Sequence, residues 1–221
     1  MNWTPVILSL QVATLATLCA LPLAICVAYV LARKRFRGHG LLNGLVHLPL
    51  VLPPVVTGYL LLVVFGRQGA LGALLFDWFG ITLAFRWTGA ALAAGIMGFP
   101  LMVRAIRLGF EAVDTGLEDA ARTLGASNAR VFCQVTLPLI GPAMIAGAVL
   151  GFAKALGEFG ATITFVAAIP GQTETIPSAI YAALQVPGQE GAVVWLVCIS
   201  VALAMGALIL SEWLARRMVA R

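Results

Sequence analysis

EAVDTGLEDAARTLGASNARVFCQVTLP, at residues 111–138, is the longest interior part of the chain in which polar and charged residues dominate. The sequence on both sides of it is apolar enough to lie in lipid. Thr115 and Glu118 have the spacing of a capping box, in which each side chain binds a backbone N–H at a helix start. Gly125 falls where a helix commonly ends, because glycine takes a left-handed conformation without penalty. The stretch therefore predicts a short helix between two lipid-embedded parts of the chain.

This predicted helix carries one apolar face. Leu117, Ala120, Ala121 and Leu124 recur at helical spacing. A helix of roughly two turns is too short to be stable alone in water, so it needs a surface to dock against. The local signals fit a surface helix resting on its own protein as well as they fit a helix that docks on a partner.

Composition excludes an ordinary soluble domain. Of the 221 residues, 61% are hydrophobic and only 10% are charged, and the mean hydropathy is +1.00. Soluble domains carry about 25% charged residues, so these charges are too few to cover the surface of a soluble globule. The net charge of +5 does not indicate nucleic-acid binding, because no basic patch with interleaved aromatic residues is present. The sequence therefore predicts an all-α protein whose solvent is mostly membrane lipid.

Five apolar runs are long enough to cross a bilayer, whose hydrocarbon core of about 30 Å needs about 20 helical residues. The first has no Lys or Arg before it and is longer than a signal-peptide core, so we interpret it as a permanent span. The second contains Pro49, Pro53, Pro54 and Gly58. Prolines in mid-membrane free backbone carbonyls that neighbouring helices must satisfy, so we expect this span to be kinked and packed inside the protein. The predicted spans are residues 5–32, 41–65, 88–106, 138–159 and 192–210.

Basic residues lie mostly on one side of these spans. Only Arg67 and Arg86 lie in connections on the other side, and Lys154 is inside the fourth run. Because cytoplasmic connections carry an excess of Lys and Arg, we predict an external N-terminus, a cytoplasmic C-terminus and a cytoplasmic loop at about 107–137. The eleven basic residues assigned to the cytoplasm are Arg33, Lys34, Arg35, Arg37, Arg104, Arg107, Arg122, Arg130, Arg216, Arg217 and Arg221.

Two further segments are too short to cross the membrane. Residues 160–189 contain a nine-residue apolar stretch and a predicted helix at 176–184 between two Pro-Gly turns. We interpret them as an external or partly re-entrant segment. Residues 71–81 are predicted to form a short interfacial helix outside, with Trp78 and Trp87 at headgroup depth.

The sequence contains no pattern typical of enzymatic chemistry. It has no Gly-Lys-Ser/Thr of a nucleotide-binding loop, no HExxH, no cluster of metal ligands and no serine–histidine arrangement. We therefore predict no catalytic residue, no metal and no cofactor on this chain. The four cysteines have no CxxC spacing and are interpreted as small hydrophobic residues: Cys19, Cys26, Cys133 and Cys198.

Two ionisable residues lie inside the fourth run. Lys154 and Glu158 are four residues apart and can pair on one helical face, whereas a lone charge there costs at least about 3 kcal/mol. The pair is either structural, at the outer interface, or part of an outer constriction of a transport path in which Thr162 and Thr164 supply hydroxyls. Three glycines on this segment permit close helix packing: Gly151, Gly157 and Gly160.

Residues 119–138, DAARTLGASNARVFCQVTLP, resemble the cytoplasmic EAA loop of ATP-binding-cassette (ABC) importer permeases. That pattern is Glu-Ala-Ala, three residues, Gly, nine residues, Ile, one residue and Leu-Pro. Two positions differ mildly, since Asp replaces Glu and Val replaces Ile. The matching positions are Asp119, Ala120, Ala121, Gly125, Val135, Leu137 and Pro138.

The resemblance extends over essentially the whole chain and narrows the family to molybdate permeases. It includes HLPLVLPPVVTGYLLL at 47–62, FPLMVRAIRLGFEAVD at 99–114 and GEFGATITFVAAIPGQTETIPSAIY at 157–181. Sulfate permeases share a GEFGA-like element and are the nearest rival, while the compact length favours molybdate. A tungstate permease and, less favoured, a secondary transporter also stay open. A secondary transporter usually shows inverted repeats, and we find no clear repeat.

What the resemblance implies is a type I ABC importer permease, a multi-pass protein of the cell inner membrane with residues 1–221 as one transmembrane domain. Its implied partners are a second copy of the chain, two cytoplasmic ABC ATPase subunits that bind ATP and Mg²⁺, and a periplasmic molybdate-binding protein. The residues expected to couple to the ATPase are Leu117, Glu118, Asp119, Ala120, Ala121, Arg122, Leu124 and Gly125. Those considered for the translocation path or gate are Lys154, Glu158, Thr162 and Thr164.

Overall fold

The computed structural model describes residues 2–219, without the side chains of 215, 216, 218 and 219. Throughout this range the regular structure is helical, which confirms the predicted all-α class. Of the basic residues used for orientation, Arg221 and the side chain of Arg216 lie outside the described part. In chain order the elements are α1 (Thr4–Arg33), α2 (His39–Val51), α3 (Pro54–Phe65), α4 (Ala70–Phe79), α5 (Trp87–Ala112), α6 (Thr115–Thr123), α7 (Asn128–Val131), a π-helical turn (Phe132–Thr136), α8 (Leu137–Leu139), α9 (Gly141–Leu156), α10 (Gly160–Val166), α11 (Ile176–Ala183) and α12 (Glu190–Val219).

Three of these helices, α1, α5 and α12, are long and apolar enough to cross a membrane by themselves. Two further spans are bent pairs: α2 with α3, and the segment Asn128–Leu139 with α9. Counting each bent pair as one span gives up to five in the described residues, which agrees with the five predicted apolar runs.

The second span is broken rather than kinked. α2 and α3 are bent by 113° at Leu52 and Pro53, so the prediction of one kinked helix over 41–65 was wrong. Each of these two residues precedes a proline and is extended, with ψ 142° at Leu52 and 135° at Pro53. Steric conflict with the following proline ring disfavours the helical conformation for such residues. Two successive prolines therefore end one helix and start another in a new direction.

α9, the part of the fourth span that follows the 65° bend, is shorter than the predicted run. α9 starts at Gly141, with Pro142 in its first turn, and ends at Leu156, so the ends predicted at 138 and 159 were wrong. Proline is favoured in a first helical turn because the missing N–H has no intrahelical partner there. Glu158 consequently lies beyond the end of α9 instead of inside a continuous helix.

α5 and α9 pack closely at positions where one of the two helices carries a glycine. A Cβ on Gly98 would stand 3.1 Å from the backbone oxygen of Gly151, and a Cβ on Gly109 would overlap the side chain of Ala143. A Cβ on Gly151 would collide with the side chain of Met102. Small residues let membrane helices approach in this way, so the predicted packing role of Gly151 is confirmed. We call this contact the glycine seam.

The other two glycines of the fourth run differ from each other. A Cβ on Gly160 would stand 2.7 Å from the Cβ of Pro54, which confirms a close approach to α3. For Gly157 the prediction was wrong, because its Cβ position meets only the backbone oxygen of Ala153, at 3.8 Å. Gly157 instead marks the C-terminal cap of α9.

α10 is folded into the protein. Ala161, Phe165 and Val166 have no measurable exposure and pack with residues of α3 and α5. A Cβ on Gly58 of α3 would stand 2.5 Å from the backbone oxygen of Ala161. α10 is therefore packed inside the protein, and the choice between an external and a partly re-entrant segment at 160–189 stays a prediction.

The remaining short helices were predicted correctly. α11 forms within 176–184 and packs against α1 and α12. The backbone N–H of Ile176, its first residue, donates to Ser9 Oγ at 2.8 Å in a buried hydrogen bond. α4 covers most of the predicted range 71–81. It starts one residue earlier, at Ala70, and ends at Phe79.

The segments predicted to be cytoplasmic meet at one end of the molecule. Arg33, the last residue of α1, lies with its Nη2 3.0 Å from Oε1 of Glu118 in α6. At the other end of α1, the rings of Trp3 and Trp195 meet edge to face with centroids 5.0 Å apart. The basic connection that follows α1 and the polar loop at 107–137 therefore lie at the same end of the molecule, as the predicted orientation requires.

Candidate functional site

The helix predicted in the polar loop is present as α6, and its start is shifted by one residue. Asp114 is the N-cap, and its Oδ1 accepts the backbone N–H of Gly116 at 2.8 Å. The capping box of Thr115 with Glu118 was therefore wrong. Glu118 does not reach back to the helix start, because its carboxylate is bound elsewhere in the protein.

α6 ends as predicted at Gly125. This residue has φ +87°, and the backbone N–H of Gly125 donates to the oxygen of Arg122 at 2.9 Å. The N–H of Ala126 donates to the oxygen of Ala121 at 3.1 Å. Together these two bonds form a Schellman motif, which satisfies carbonyls at the helix end and favours glycine in the left-handed position.

The apolar face of α6 points away from the protein. Leu124 is 88% exposed and Leu117 is 51% exposed, Ala120 is exposed and Ala121 is half-buried. The buried residue of α6 is Glu118, at 7% exposure. A surface helix that rests on its own protein buries its apolar stripe, so that interpretation is excluded. The inverted arrangement leaves an apolar surface available to another molecule.

Glu118 attaches α6 to the protein through hydrogen bonds. Its Oε1 accepts from Arg33 Nη2 at 3.0 Å and from Thr136 Oγ1 at 2.8 Å. Its Oε2 lies 3.6 Å from Nη2 of Arg122. Burying a carboxylate is costly unless it is paired and hydrogen-bonded, and these partners satisfy it. Unlike the other residues predicted for coupling, Glu118 therefore faces inward.

The other charged residues of the predicted coupling set lie on the solvent side. Arg122 Nη1 donates to Asp119 Oδ1 at 2.6 Å, and Arg122 Nε donates to Asn128 Oδ1 at 3.3 Å. The side chains of Arg122 and Asp119 are 43% and 72% exposed, so solvent weakens their attraction. They are held in place beside the apolar stripe and remain accessible to a partner.

An aromatic cluster supports the segment that follows α6. The ring of Tyr29 lies 5.5 Å from that of Phe110 and 5.4 Å from that of Phe132, both edge to face. Such pairs stabilise a contact by about 0.5–1.5 kcal/mol beyond area burial. Because Phe132 opens the π-helical turn, the cluster fixes this turn against α1 and α5. π-Helical turns occur often at functional sites.

The predicted ion pair between Lys154 and Glu158 is confirmed. Lys154 Nζ donates to Glu158 Oε2 at 2.6 Å, and the backbone N–H of Ala161 donates to Glu158 Oε1 at 2.9 Å. Glu158 is 2% exposed, whereas the Lys154 side chain is 29% exposed. The carboxylate therefore connects the end of α9 to the start of α10, and the Lys154 side chain stays partly exposed.

The hydroxyls of Thr162 and Thr164 donate to backbone oxygens in this structure. Thr162 Oγ1 donates to the oxygen of Phe159 at 2.9 Å, and Thr164 Oγ1 donates to that of Gly160 at 2.9 Å. Both bonds stay within α10 and its first turn. The predicted contribution of these hydroxyls to a translocation path therefore stays a prediction.

Sequence reasoning missed three residues of this site. Asp114 is a usual N-cap residue and could have been chosen from its type alone. Arg33 and Thr136 contact Glu118 from 85 and 18 residues away, and no local pattern indicates such contacts. Within residues 2–219, no group of three or more His, Cys, Asp or Glu side chains is placed to hold a metal ion.

Comparison with known proteins identifies the family to which the chain belongs. Residues 20–220 match the family described as "Binding-protein-dependent transport system inner membrane component". The chain belongs to this family. The match includes α6, the π-helical turn, and the Lys154–Glu158 pair, so both candidate sites lie within the region shared by family members.

Curated members of the family include close relatives. The chain is 61% identical over 215 residues to the molybdenum transport system permease protein ModB of Escherichia coli strain K12, covering 97% of this chain and 94% of that protein. It is 38% identical over 159 residues to the sulfate transport system permease protein CysT of the same strain, covering 72% of this chain and 57% of that protein. The molybdenum permease is thus the nearer of the two.

Solved structures of ABC transporters share the fold. The chain superposes on a chain of a bacterial alginate ABC transporter, crystallised with its pentasaccharide-bound periplasmic protein, with a TM-score of 0.74. The two are 17% identical, and the alignment covers 97% of this chain and 78% of that one. At this identity the likeness shows the fold alone, which is that of ABC importer permeases.

Proposed function

We propose that the chain is the permease subunit of an ATP-driven importer for molybdate. The observation that carries the proposal is the outward apolar stripe of α6, at the positions where ABC importer permeases have their EAA loop. Leu117 and Leu124 present this stripe to the cytoplasm in the predicted orientation, and a groove of an ATPase subunit of the importer is the partner that fits it. The chain itself forms the translocation path and, through α6, receives the movement of the ATPase, while a partner subunit hydrolyses ATP.

The transport mechanism follows from the separation of the translocation path, in this chain, from ATP hydrolysis, in a partner subunit. Two copies of the chain form the path between them, and each presents one α6 to one ATPase subunit. When the ATPase subunits close on ATP, both α6 helices are displaced and the permease dimer opens outward to receive the anion from a periplasmic binding protein. Hydrolysis reverses the displacement and the dimer opens inward.

The path binds the anion only transiently. A site that bound an oxyanion tightly would hold it and slow its release. Lys154 provides a partly exposed side chain whose charge is offset by Glu158 at 2.6 Å. Such a compensated cation attracts an anion weakly, and Thr162 and Thr164 add hydroxyls if their backbone bonds open during the cycle. Selectivity then depends largely on the binding protein.

We infer molybdate rather than sulfate as the transported anion from the sequence identities to two permeases. Identity to the molybdenum permease is 61% over 97% of the chain, against 38% over 72% for the sulfate permease. Tungstate has the same charge and tetrahedral geometry as molybdate, so the experiment has to compare all three anions.

The deciding experiment uses the permease reconstituted in vesicles with its ATPase and binding protein. We expect binding protein loaded with molybdate to stimulate ATP hydrolysis and uptake more than binding protein loaded with sulfate. Tungstate in place of molybdate serves as the control for geometry. Uptake that proceeds without ATP would contradict the proposal and indicate a secondary transporter.

Gly125→Asp is expected to weaken association with the ATPase while membrane insertion stays intact. The Cβ position of Gly125 is open, and aspartate tolerates the left-handed conformation as asparagine does, so the effect comes mainly from a negative charge at a helix C-terminus. That charge costs about 0.3–1 kcal/mol. Gly125→Asn is the matched control, since asparagine tolerates this conformation and adds no charge. Equal recovery of the complex for parent and Gly125→Asp after detergent extraction would contradict the expectation.

A further inference from the structure

α6 is attached to the rest of the permease by an ionic anchor. Its apolar stripe faces outward, and its buried residue is Glu118. Glu118 Oε1 receives two hydrogen bonds, from Arg33 Nη2 at 3.0 Å and from Thr136 Oγ1 at 2.8 Å. One carboxylate oxygen therefore joins α6 to two other parts of the chain. We call these three residues the anchor.

Each partner in the anchor lies at the end of a longer element. Arg33 is the last residue of α1, and Thr136 is the last residue of the π-helical turn that leads through α8 into α9. α1, α5 and α9 pack on one another and form the centre of the fold. The anchor therefore connects α6 to both the α1 and the α9 sides of that centre.

The anchor also has spare bonding capacity. Arg33 Nε is buried and has no hydrogen-bond partner. Glu118 Oε2 has Arg122 near it at 3.6 Å, beyond the range of a strong hydrogen bond. Arginine and carboxylate groups commonly pair through two parallel hydrogen bonds. In this structure the Arg33–Glu118 pair makes one such hydrogen bond, and Arg33 Nε and Glu118 Oε2 are the atoms left over for a second.

We propose that the anchor of Arg33, Glu118 and Thr136 transmits the displacement of α6 to α1 and α9. The proposal rests on the proposed function, in which an ATPase subunit grips the apolar stripe. Glu118 is then a positioning residue that faces away from the ATPase. Charged hydrogen bonds are directional and strong, so they transmit movement while the apolar face of α6 remains free for the partner.

The test measures coupling in the complete importer reconstituted in vesicles. The readout is the number of ATP molecules hydrolysed per molybdate taken up, measured together with recovery of the ATPase in the complex. Glu118→Ala should leave the ATPase bound, since the apolar stripe is intact, and should raise the ATP used per molybdate by about fivefold or more. A variant that was merely less stable would lower the amount of complex without changing this ratio.

The matched control is Glu111→Ala. Glu111 pairs with Arg107 at 2.7 Å in an exposed ion pair at the end of α5, outside α6 and the anchor. We expect the control to keep the parental ratio. An unchanged ratio in Glu118→Ala would overturn the proposal. Loss of the ATPase from the Glu118→Ala complex would overturn it too, because Glu118 would then serve docking.

Two further variants keep the test decisive if Glu118→Ala does not fold. Thr136→Val removes one hydrogen bond and keeps the side-chain shape, and it should raise the ratio in the same direction by less. The exchanged pair Arg33→Glu with Glu118→Arg should restore coupling relative to Glu118→Arg alone. A parental ratio in Thr136→Val, or no recovery in the exchanged pair, would overturn the proposal. Failure of the proposed function would appear separately, as ATP-independent uptake by the parent.

Discussion

Replacing Leu117 and Leu124 together by aspartate should reduce the affinity of the permease for its ATPase subunit by about 100-fold or more. Both leucines lie in the outward stripe, at 51% and 88% exposure. Fully burying an exposed leucine side chain is worth about 1.5–3 kcal/mol, so Leu124 contributes about that amount and Leu117, which is already half-buried, about half of it. Binding of labelled ATPase to the detergent-solubilised permease, at fixed ionic strength, measures the loss.

Thr123→Asp is the control for this effect. Thr123 is exposed on the same helix and its Oγ1 donates to the oxygen of Ala120, but its side chain lies outside the apolar stripe. The control adds one negative charge in the last turn of α6 and removes no apolar contact, so its affinity should fall by much less than that of the double leucine variant, by no more than the effect of Gly125→Asp. If the double leucine variant bound the ATPase like the parent, another surface of the permease would have to carry docking.

Glu158→Ala should lower the stability of the folded permease by about 3–5 kcal/mol. The change leaves Lys154 without its partner and the N–H of Ala161 without its acceptor, in a place where the Glu158 side chain is only 1% exposed. Removing one member of a buried pair is costly because it strands the other. The folded yield and the thermal midpoint of the permease in detergent report the loss.

The double variant Lys154→Met with Glu158→Gln separates a structural role from a role in the path. It removes both charges, and the amide oxygen of the new side chain can still accept the N–H of Ala161, so folded yield should recover relative to Glu158→Ala. Parental transport in this variant would show that the pair is structural, whereas a folded but transport-deficient variant would place Lys154 in the anion path. Parental yield and transport in Glu158→Ala would contradict the pairing argument.

The features of the site that sequence reasoning predicted correctly depend on neighbouring residues. The end of α6 at Gly125 follows from the conformational freedom of one residue. The stripe of Leu117 and Leu124 follows from helical spacing alone. The Lys154–Glu158 pair needed only a separation of four residues and the cost of a lone charge in lipid. Each of these could be read without knowing how the chain folds.

The features that were missed depend on distant residues. Thr115 and Glu118 have the spacing of a capping box, but Arg33, 85 residues away, binds the carboxylate. Because that buried pairing is stronger than a solvent-exposed cap, Glu118 turns inward and Asp114 takes the cap position. Prolines in the second span were likewise visible in the sequence, yet whether they kink or break it depends on what packs around α2 and α3.

The glycine seam has a consequence for how the molecule can move. Where Gly98 faces Gly151 the two backbones approach closely, Gly109 lies against the side chain of Ala143, and the side chain of Met102 packs on Gly151. These close contacts resist sliding and rolling, so we expect α5 and α9 to move together as one rigid unit. In the proposed homodimer, opening and closing must then come from the α5–α9 units of the two copies tilting against each other. We expect the backbone to flex at the 65° bend that leads into α9.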